Sequence, residues 1–306
     1  MTRLGYQIPN FTYPDTGSGR LFEAIAAQAV EAESSGFDTV LLMDHFYQLP
    51  MLGDPANEML ECYTVLAALA QRTSRVRLSS LVTGNTYRNP TLLAKTVTAL
   101  DIVSGGRAQL GIGAGWYELE HASLGFEFGT FTDRFERLEE ALQIILPMLR
   151  GERPTLDGSW YSVRDAVNSP APVGRIPVMI GGGGERKTLR ITAEHADIWH
   201  GFGDPETIRH KHLVLDDWCA ARGRDPLEIE RSAGVAFTPA RLPEDSSLDY
   251  AAQAQDLFDV GSRLLTVSLT TPPYDLGPVR DVLAWRDEVN ARSAAVSDST
   301  PATGAD

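Results

Sequence analysis

The chain reads as an α/β protein of the (β/α)8 TIM-barrel class, with insertions at the C-terminal mouth. Two observations predict this. Short apolar runs recur eight times, and most are followed by a longer segment with helical apolar spacing, the pattern of βα units in a parallel sheet. Long polar segments interrupt that alternation at 12–19, 48–57 and 151–175, where a barrel would carry its loops.

Taken in order, the strands are Arg3–Pro9, Phe37–Asp44, Val76–Thr83, Arg107–Gly113, Ile176–Gly181, Asp197–Gly201, Ile229–Phe237 and Arg263–Leu269. The helices fall at 19–35, 58–73, 90–104, 133–150, 185–195, 205–222, 247–260 and 276–291, each with good helix formers on its polar face. Thr132-Asp133 precedes RFERLEEALQIILPML and Asp204-Pro205-Glu206 precedes TIRHKHLVLDDW, both sensible helix starts because a side-chain oxygen there accepts from an otherwise unpaired amide. Segment 151–175, rich in Gly, Pro, Ser and aromatic residues, is too long for an ordinary connection and reads as an insertion over the mouth. One domain over 1–290 is expected, and the tail 291–306 reads as disordered from its composition.

With 306 residues, 43% apolar and 22% charged, the composition is that of an ordinary globular protein. A net charge of −14 argues against nonspecific attraction to nucleic acid or anionic membranes. Cys62 and Cys219 have no metal-ligand spacing, so buried free thiols are expected, with neither a disulfide framework nor a metal site. The start lacks a basic-then-apolar leader and no apolar run approaches a membrane span, which gives a cytoplasmic expectation.

The chemistry gathers at strand ends. Asp44 and His45 close the second strand, where histidine can move a proton near neutral pH and the aspartate can orient it; loop capping and rim packing are the structural alternative. The third strand ends in Ser79, Ser80, Thr83, Asn85, Thr86, Tyr87 and Arg88, hydroxyls and amides suited to orienting a heterocycle or simply to turn formation. Arg88 is suited to a carboxylate or phosphate, or to pairing with a neighbouring loop. The fourth strand runs through RAQLGIGAGWYELEH, spaced glycines followed by Trp116, Glu118, Glu120 and His121. IGGGGERKTLRI after the fifth strand joins four glycines to a helix start, which favours phosphate binding without matching a Walker loop or a GxGxxG fingerprint. Trp116, Tyr117, Trp199 and His200 are placed to wall a flat ligand or to pack at the rim. The charges of 133–150 read as a solvated face with no site role.

Taken together, GYQIPNF, LLMDHF, LVTGNTYRNPTLLAKTVTALDIVSGGRAQLGIGAGWYELEH and IGGGGERKTLRITAEHADIWH, in that order, resemble the bacterial luciferase-like oxidoreductases, in the branch that uses coenzyme F420 rather than FMN. The resemblance implies a barrel that binds deazaflavin across the C-terminal strand ends. It implies a bulge with a non-proline cis peptide in Ser80-Leu81-Val82-Thr83, behind the ring. It places Asp44 and His45 beside the ring, His45 first for proton transfer with Asp44 tuning it and Glu118 as a second acid. Ser80, Leu81, Thr83 and Asn85 would contact the ring, Gly115 and Trp116 would flank it, and Gly182, Gly183 and Gly184 would hold the phosphate or charged tail. The expected activity is hydride transfer between reduced deazaflavin and an organic small-molecule substrate, by a homodimer. Three alternatives remain at this level: an FMN-dependent monooxygenase, a noncatalytic deazaflavin carrier, and a phosphate-handling barrel lyase or isomerase. His200 stands where many relatives carry an amide, which would alter a contact at the mouth.

Overall fold

The computed structural model describes residues 1–14, 16–235, 248–270 and 272–298. Eight parallel strand positions close on themselves. β1 (Arg3–Ile8) pairs with β2 (Thr39–Leu42), which pairs with β3 (Arg77–Ser80). After a bulge, β4 (Thr83–Gly84) resumes the third strand, and both β3 and β4 pair with β5 (Ala108–Gly113). The ring continues through β8 (Val178–Gly181), β9 (Ile198–Gly201), β10 (Glu230–Gly234) and β11 (Leu264–Ser268), which pairs back to β1. All eight expected strand positions are present, with ends shortened by one or two residues in most; Ala236 and Phe237 lie outside the described residues.

A barrel strand is buried on both faces, which is why these runs are apolar throughout rather than alternating. Residues in register share a face, so Leu41, Met179, Ile198 and Leu264 meet inside the barrel with Leu81. The opposite faces pack outward under the helices, with Leu4, Tyr6, Val40, Leu42, Leu110, Ile112 and Trp199 in the main core. Helices α1 (Leu21–Ser35), α2 (Cys62–Ala70), α3 (Pro90–Ser104), α5 (Phe131–Leu149), α6 (Thr188–His195), α7 (Pro205–Ala221), α8 (Tyr250–Asp259) and α9 (Arg280–Asp298) follow the strands as expected. Asn89 caps α3 ahead of Pro90, and Asp204 caps α7 by accepting from Thr207 N at 2.7 Å.

Four expectations change. The cap of α5 is Thr130, not Thr132-Asp133: Thr130 and Asp133 form a reciprocal capping box, so the helix starts two residues before position 133. A short helix, α4 (Glu118–Leu124), fills what reads in sequence as a loop. The 151–175 insertion forms a hairpin of β6 (Leu156–Asp157) and β7 (Ser162–Val163) that lies along α5 and α3 rather than over the mouth, because Glu140 accepts from the amides of Ser159, Trp160 and Tyr161 and Asp101 from that of Val173. Tyr161 reaches toward the strand ends, 3.5 Å from Asn85 Nδ2. Finally, α9 continues to Asp298, seven residues past Ala291, while 299–306 lie outside the described residues.

The bulge between β3 and β4 contains a cis Leu81–Val82 peptide, as the resemblance implies. Glycine on the neighbouring strands makes it possible: a Cβ on Gly111 would stand 2.1 Å from the Ser80 carbonyl oxygen, and one on Gly181 would stand 2.9 Å from the Val82 side chain. No helix among the described residues is long and apolar enough to cross a membrane, and both cysteines are buried and free.

Candidate active site

His45 lies three residues beyond the end of β2 and meets α4 across the mouth. Its Nδ1 lies 2.8 Å from Glu120 Oε2, and a carboxylate can only accept, so Nδ1 carries the proton. That leaves Nε2 as the free lone pair, with no protein partner among the described residues on a side chain that is 11% exposed. Glu120 is fully buried and fully engaged: it also accepts from the Tyr87 hydroxyl and from the amides of Phe46 and Tyr47, the latter at 2.8 Å. Burial pushes its pKa up, but the bonds from His45, Tyr87 and Tyr47 outweigh it and hold the carboxyl below its usual range. The site therefore contains a histidine whose tautomer is set by an ionised, buried glutamate.

Asp44 is not hydrogen-bonded to His45, although the two interact electrostatically. Its carboxylate is buried and bound in bidentate fashion by Arg88, at 2.5 and 2.9 Å, and Arg88 also reaches Glu61 at 2.5 Å and lies over the Tyr63 ring. Burial pushes Asp44 above the usual carboxylate range against the pull of Arg88. The hydrogen bond that orients His45 thus comes from Glu120, while the Asp44 carboxylate turns to Arg88. Asp44 instead ties β2 to α2 and to the start of α3. Glu118 opens α4 on the surface and lies outside this cluster, while Glu120, two residues on, points inward.

The third-strand hydroxyls form their own chain. Tyr63 Oη lies 2.6 Å from Thr83 Oγ1, which lies 2.8 Å from Ser80 Oγ, which donates to the Gly111 carbonyl at 2.9 Å. Ser80 and Thr83 thereby brace the bulge, and Tyr63, on α2, is a participant that its own segment gave no reason to single out. Asn85 is buried, with Oδ1 lacking a hydrogen-bond partner among the described residues. Gly115 has φ +85°, and a Cβ there would lie 2.6 Å from Thr86 Oγ1. Thr86 in turn meets His121 Nε2 at 2.7 Å, while His121 Nδ1 donates to the Tyr117 carbonyl at 2.8 Å. Burial pushes the His121 pKa down. Arg134, read in sequence as part of a solvated face, donates to the Gly115 carbonyl at 3.1 Å and lies over Phe128.

Trp116 projects outward, 57% exposed, with its ring edge-on to His45 at 5.8 Å. Tyr117 is buried beside His45, and its hydroxyl has no partner among the described residues. Trp199 turns the other way, into the core, donating from Nε1 to the Gly182 carbonyl and packing against His212. His200 faces the barrel interior, fully buried, with Nδ1 2.8 Å from Ser232 Oγ; burial pushes its pKa down to about 3, so it is neutral. Gly182 has φ +123° and its amide donates to the His200 carbonyl, while Gly183 and Gly184 are exposed ahead of α6.

Residues 2–274 match the profile of the luciferase-like monooxygenases. Among curated proteins, the chain is 36% identical over 216 residues to an F420-dependent glucose-6-phosphate dehydrogenase of Microbacterium testaceum (strain StLB037), covering 69% of this chain and 63% of that protein. It is 33% identical over 226 residues to the protein of that name from Mycolicibacterium fortuitum, covering 71% and 65%. The alignments thus span just under two thirds of these relatives. An F420-dependent secondary alcohol dehydrogenase in complex with an F420-acetone adduct shares the fold at TM-score 0.79 and 18% identity, over 93% of this chain and 99% of that one. So does the coenzyme F420 dependent tetrahydromethanopterin reductase from Methanopyrus kandleri, at 0.72 and 17%, over 95% and 99%. On the extent of the profile match over this barrel, the chain belongs to the luciferase-like monooxygenase family.

Proposed function

We propose that the protein is an F420-dependent oxidoreductase that exchanges a hydride with an organic small molecule, His45 handling the accompanying proton. The carrying observation is the His45–Glu120 pair beside a glycine-bedded bulge, in a chain whose curated relatives are named for F420. The deazaflavin fits the residues present. The bulge at Leu81–Val82 offers a backbone surface between Gly111 and Gly181, the buried Asn85 Oδ1 lacks a partner, and Gly182, Gly183 and Gly184 lead into the N-terminus of α6, where amides suit a phosphate. When bound, that cofactor supplies the hydride donor or acceptor. The chain's part is positional and protonic. Glu120 keeps the His45 proton on Nδ1, so Nε2 takes a proton from substrate in one direction and, once protonated, returns it in the other, with the buried carboxylate stabilising the imidazolium. Ser80 and Thr83 act at one remove, holding the bulge in shape.

A homodimer accompanies this reading, supported by the exposed Leu92, Ile102 and Val103 on α3 beside α2, and so does a cytoplasmic setting, supported by the acidic charge and two free buried thiols. Light scattering on a sizing column decides the first. The cofactor is tested by titrating the purified protein with F420 and, separately, FMN, followed by calorimetry. Micromolar or tighter F420 binding with negligible FMN binding is expected. The reverse preference would make the protein a flavin enzyme, and F420 binding without turnover of any substrate would make it a carrier.

A further inference from the structure

We infer that the floor of the barrel, at the end opposite the mouth, binds a small monovalent anion of the size of chloride or bromide between Arg77 and Thr39. This site is separate from the cofactor reading above and stands without it.

Two guanidinium groups meet one carboxylate there. Thr39 on β2 lies in register with Arg77 on β3, and two residues further on Leu41, part of the interior cluster, lies in register with Ser79, so Thr39 and Arg77 both face inward. Arg3 on β1 does the same: it lies two residues before Gly5, where a Cβ would meet the Leu41 side chain. Glu230, at the start of β10, is in register with the interior Ile198. Both of its oxygens are held by Arg3, Oε1 at 3.0 Å from Nε and Oε2 by Nη2.

Arg77 is left over. Its Nη1 is buried with no partner, and its guanidinium makes no hydrogen bond or ion pair among the described residues. Arginine does not shed its proton to relieve this. Burial, and then the charge of Arg3, pull the Arg77 pKa down, against the weaker fields of Asp101 and Glu230. Asp101 is itself engaged by the amides of Ala108 and Val173.

The neighbours of Arg77 offer donors. Thr39 Oγ1, directly across on the adjacent strand, is buried without a partner, so its O–H is free to donate. Gln109, on the other neighbouring strand, is also buried, with Oε1 unpartnered and Nε2 donating to Ser79 Oγ. A hydroxyl both donates and accepts, so this amide can turn its N–H groups inward instead. Water would satisfy the donors but leave the charge; an anion satisfies both. With Thr39 at 0% and Gln109 at 1% exposure, the site is too closed for a phosphate or a carboxylate, while the half-buried Arg77 leaves a way in from the floor. In a chain of net charge −14, an anion is held only where the local charge is positive, as it is between Arg3 and Arg77.

The test uses the full chain in sodium gluconate, exchanged stepwise for sodium chloride or bromide at constant ionic strength, with melting temperature as the readout. Either halide is expected to raise the melting temperature saturably, by about 2 °C or more, with half of the effect reached below about 50 mM. Arg77→Met is expected to lose the response. Thr39→Val, which keeps the shape but not the hydroxyl, is expected to need about threefold more halide for half of it. No halide response in the parent, the behaviour of a site that holds water alone, overturns the inference. So does an equal response in Arg77→Met, the mark of a general salt effect, or an unshifted midpoint in Thr39→Val. Should Arg77→Met fail to fold, the parent against Thr39→Val decides. The readout needs no cofactor, so neither result bears on the F420 reading.

Discussion

In the proposed mechanism Glu120 and His45 carry the proton, and they make unequal predictions. His45→Ala removes the proton acceptor and should lower kcat by about 10²–10⁴-fold, with F420 affinity within a few fold. Glu120→Gln keeps the shape of the side chain but offers an amide where an ionised acceptor holds four donors, so kcat should fall by about tenfold or more with KM and F420 Kd nearly unchanged. A matching loss of F420 affinity in either variant would assign the pair to cofactor binding. Both residues are visible in the sequence, at a strand end and in a charged cluster, but their pairing is not. Asp44 adjoins His45 in the chain and is the natural partner on paper; Glu120 lies 75 positions away and wins because α4 turns it inward.

At the scale of elements, Arg88 and Gly111 act as fasteners. Arg88 joins the end of β2 to α2 and the entry of α3 through Asp44 and Glu61. Arg88→Ala would leave the buried Asp44 charge uncompensated and should destabilise the fold by about 3–5 kcal/mol, whereas Asp44→Asn combined with Arg88→Met should recover a large part of that loss in a denaturant titration. Gly111→Ala forces a methyl against the Ser80 carbonyl, so the bulge or the strand must shift; a cost of at least about 1–3 kcal/mol and a lowered melting temperature are expected. The strands were legible as short continuous apolar runs, and most helices by their apolar period. The α5 start was misplaced because Thr130 and Thr132 are both plausible caps, and the choice was made by a reciprocal bond with Asp133. The hairpin at 151–175 was legible as an insertion but not in position, since the Glu140 carboxylate that gathers its amides belongs to a helix face read as merely solvated.

For the molecule as a whole, the interior histidines set an acid limit on stability. Burial pushes His200 down to about 3 and His212 down to about 4, against an ordinary value near 6.5. Below about pH 6.5 the unfolded chain therefore binds protons that the folded one refuses, and stability should fall progressively as pH drops toward 4 and then 3. Melting temperature measured from pH 7 to 4 should decline less steeply in His200→Gln and His212→Gln than in the parent; equal slopes would show that other groups dominate. By itself the sequence determined the barrel, because eight apolar runs with helical segments between them have few other ways to bury that surface, and it pointed to the strand ends for the candidate site. Tertiary structure alone decided which side chains meet there. Pairing depends on the direction in which each side chain leaves its backbone and on which distant element crosses that point, so Glu120 rather than Asp44 reached His45, Tyr63 reached Thr83, and Arg134 reached the Trp116 loop.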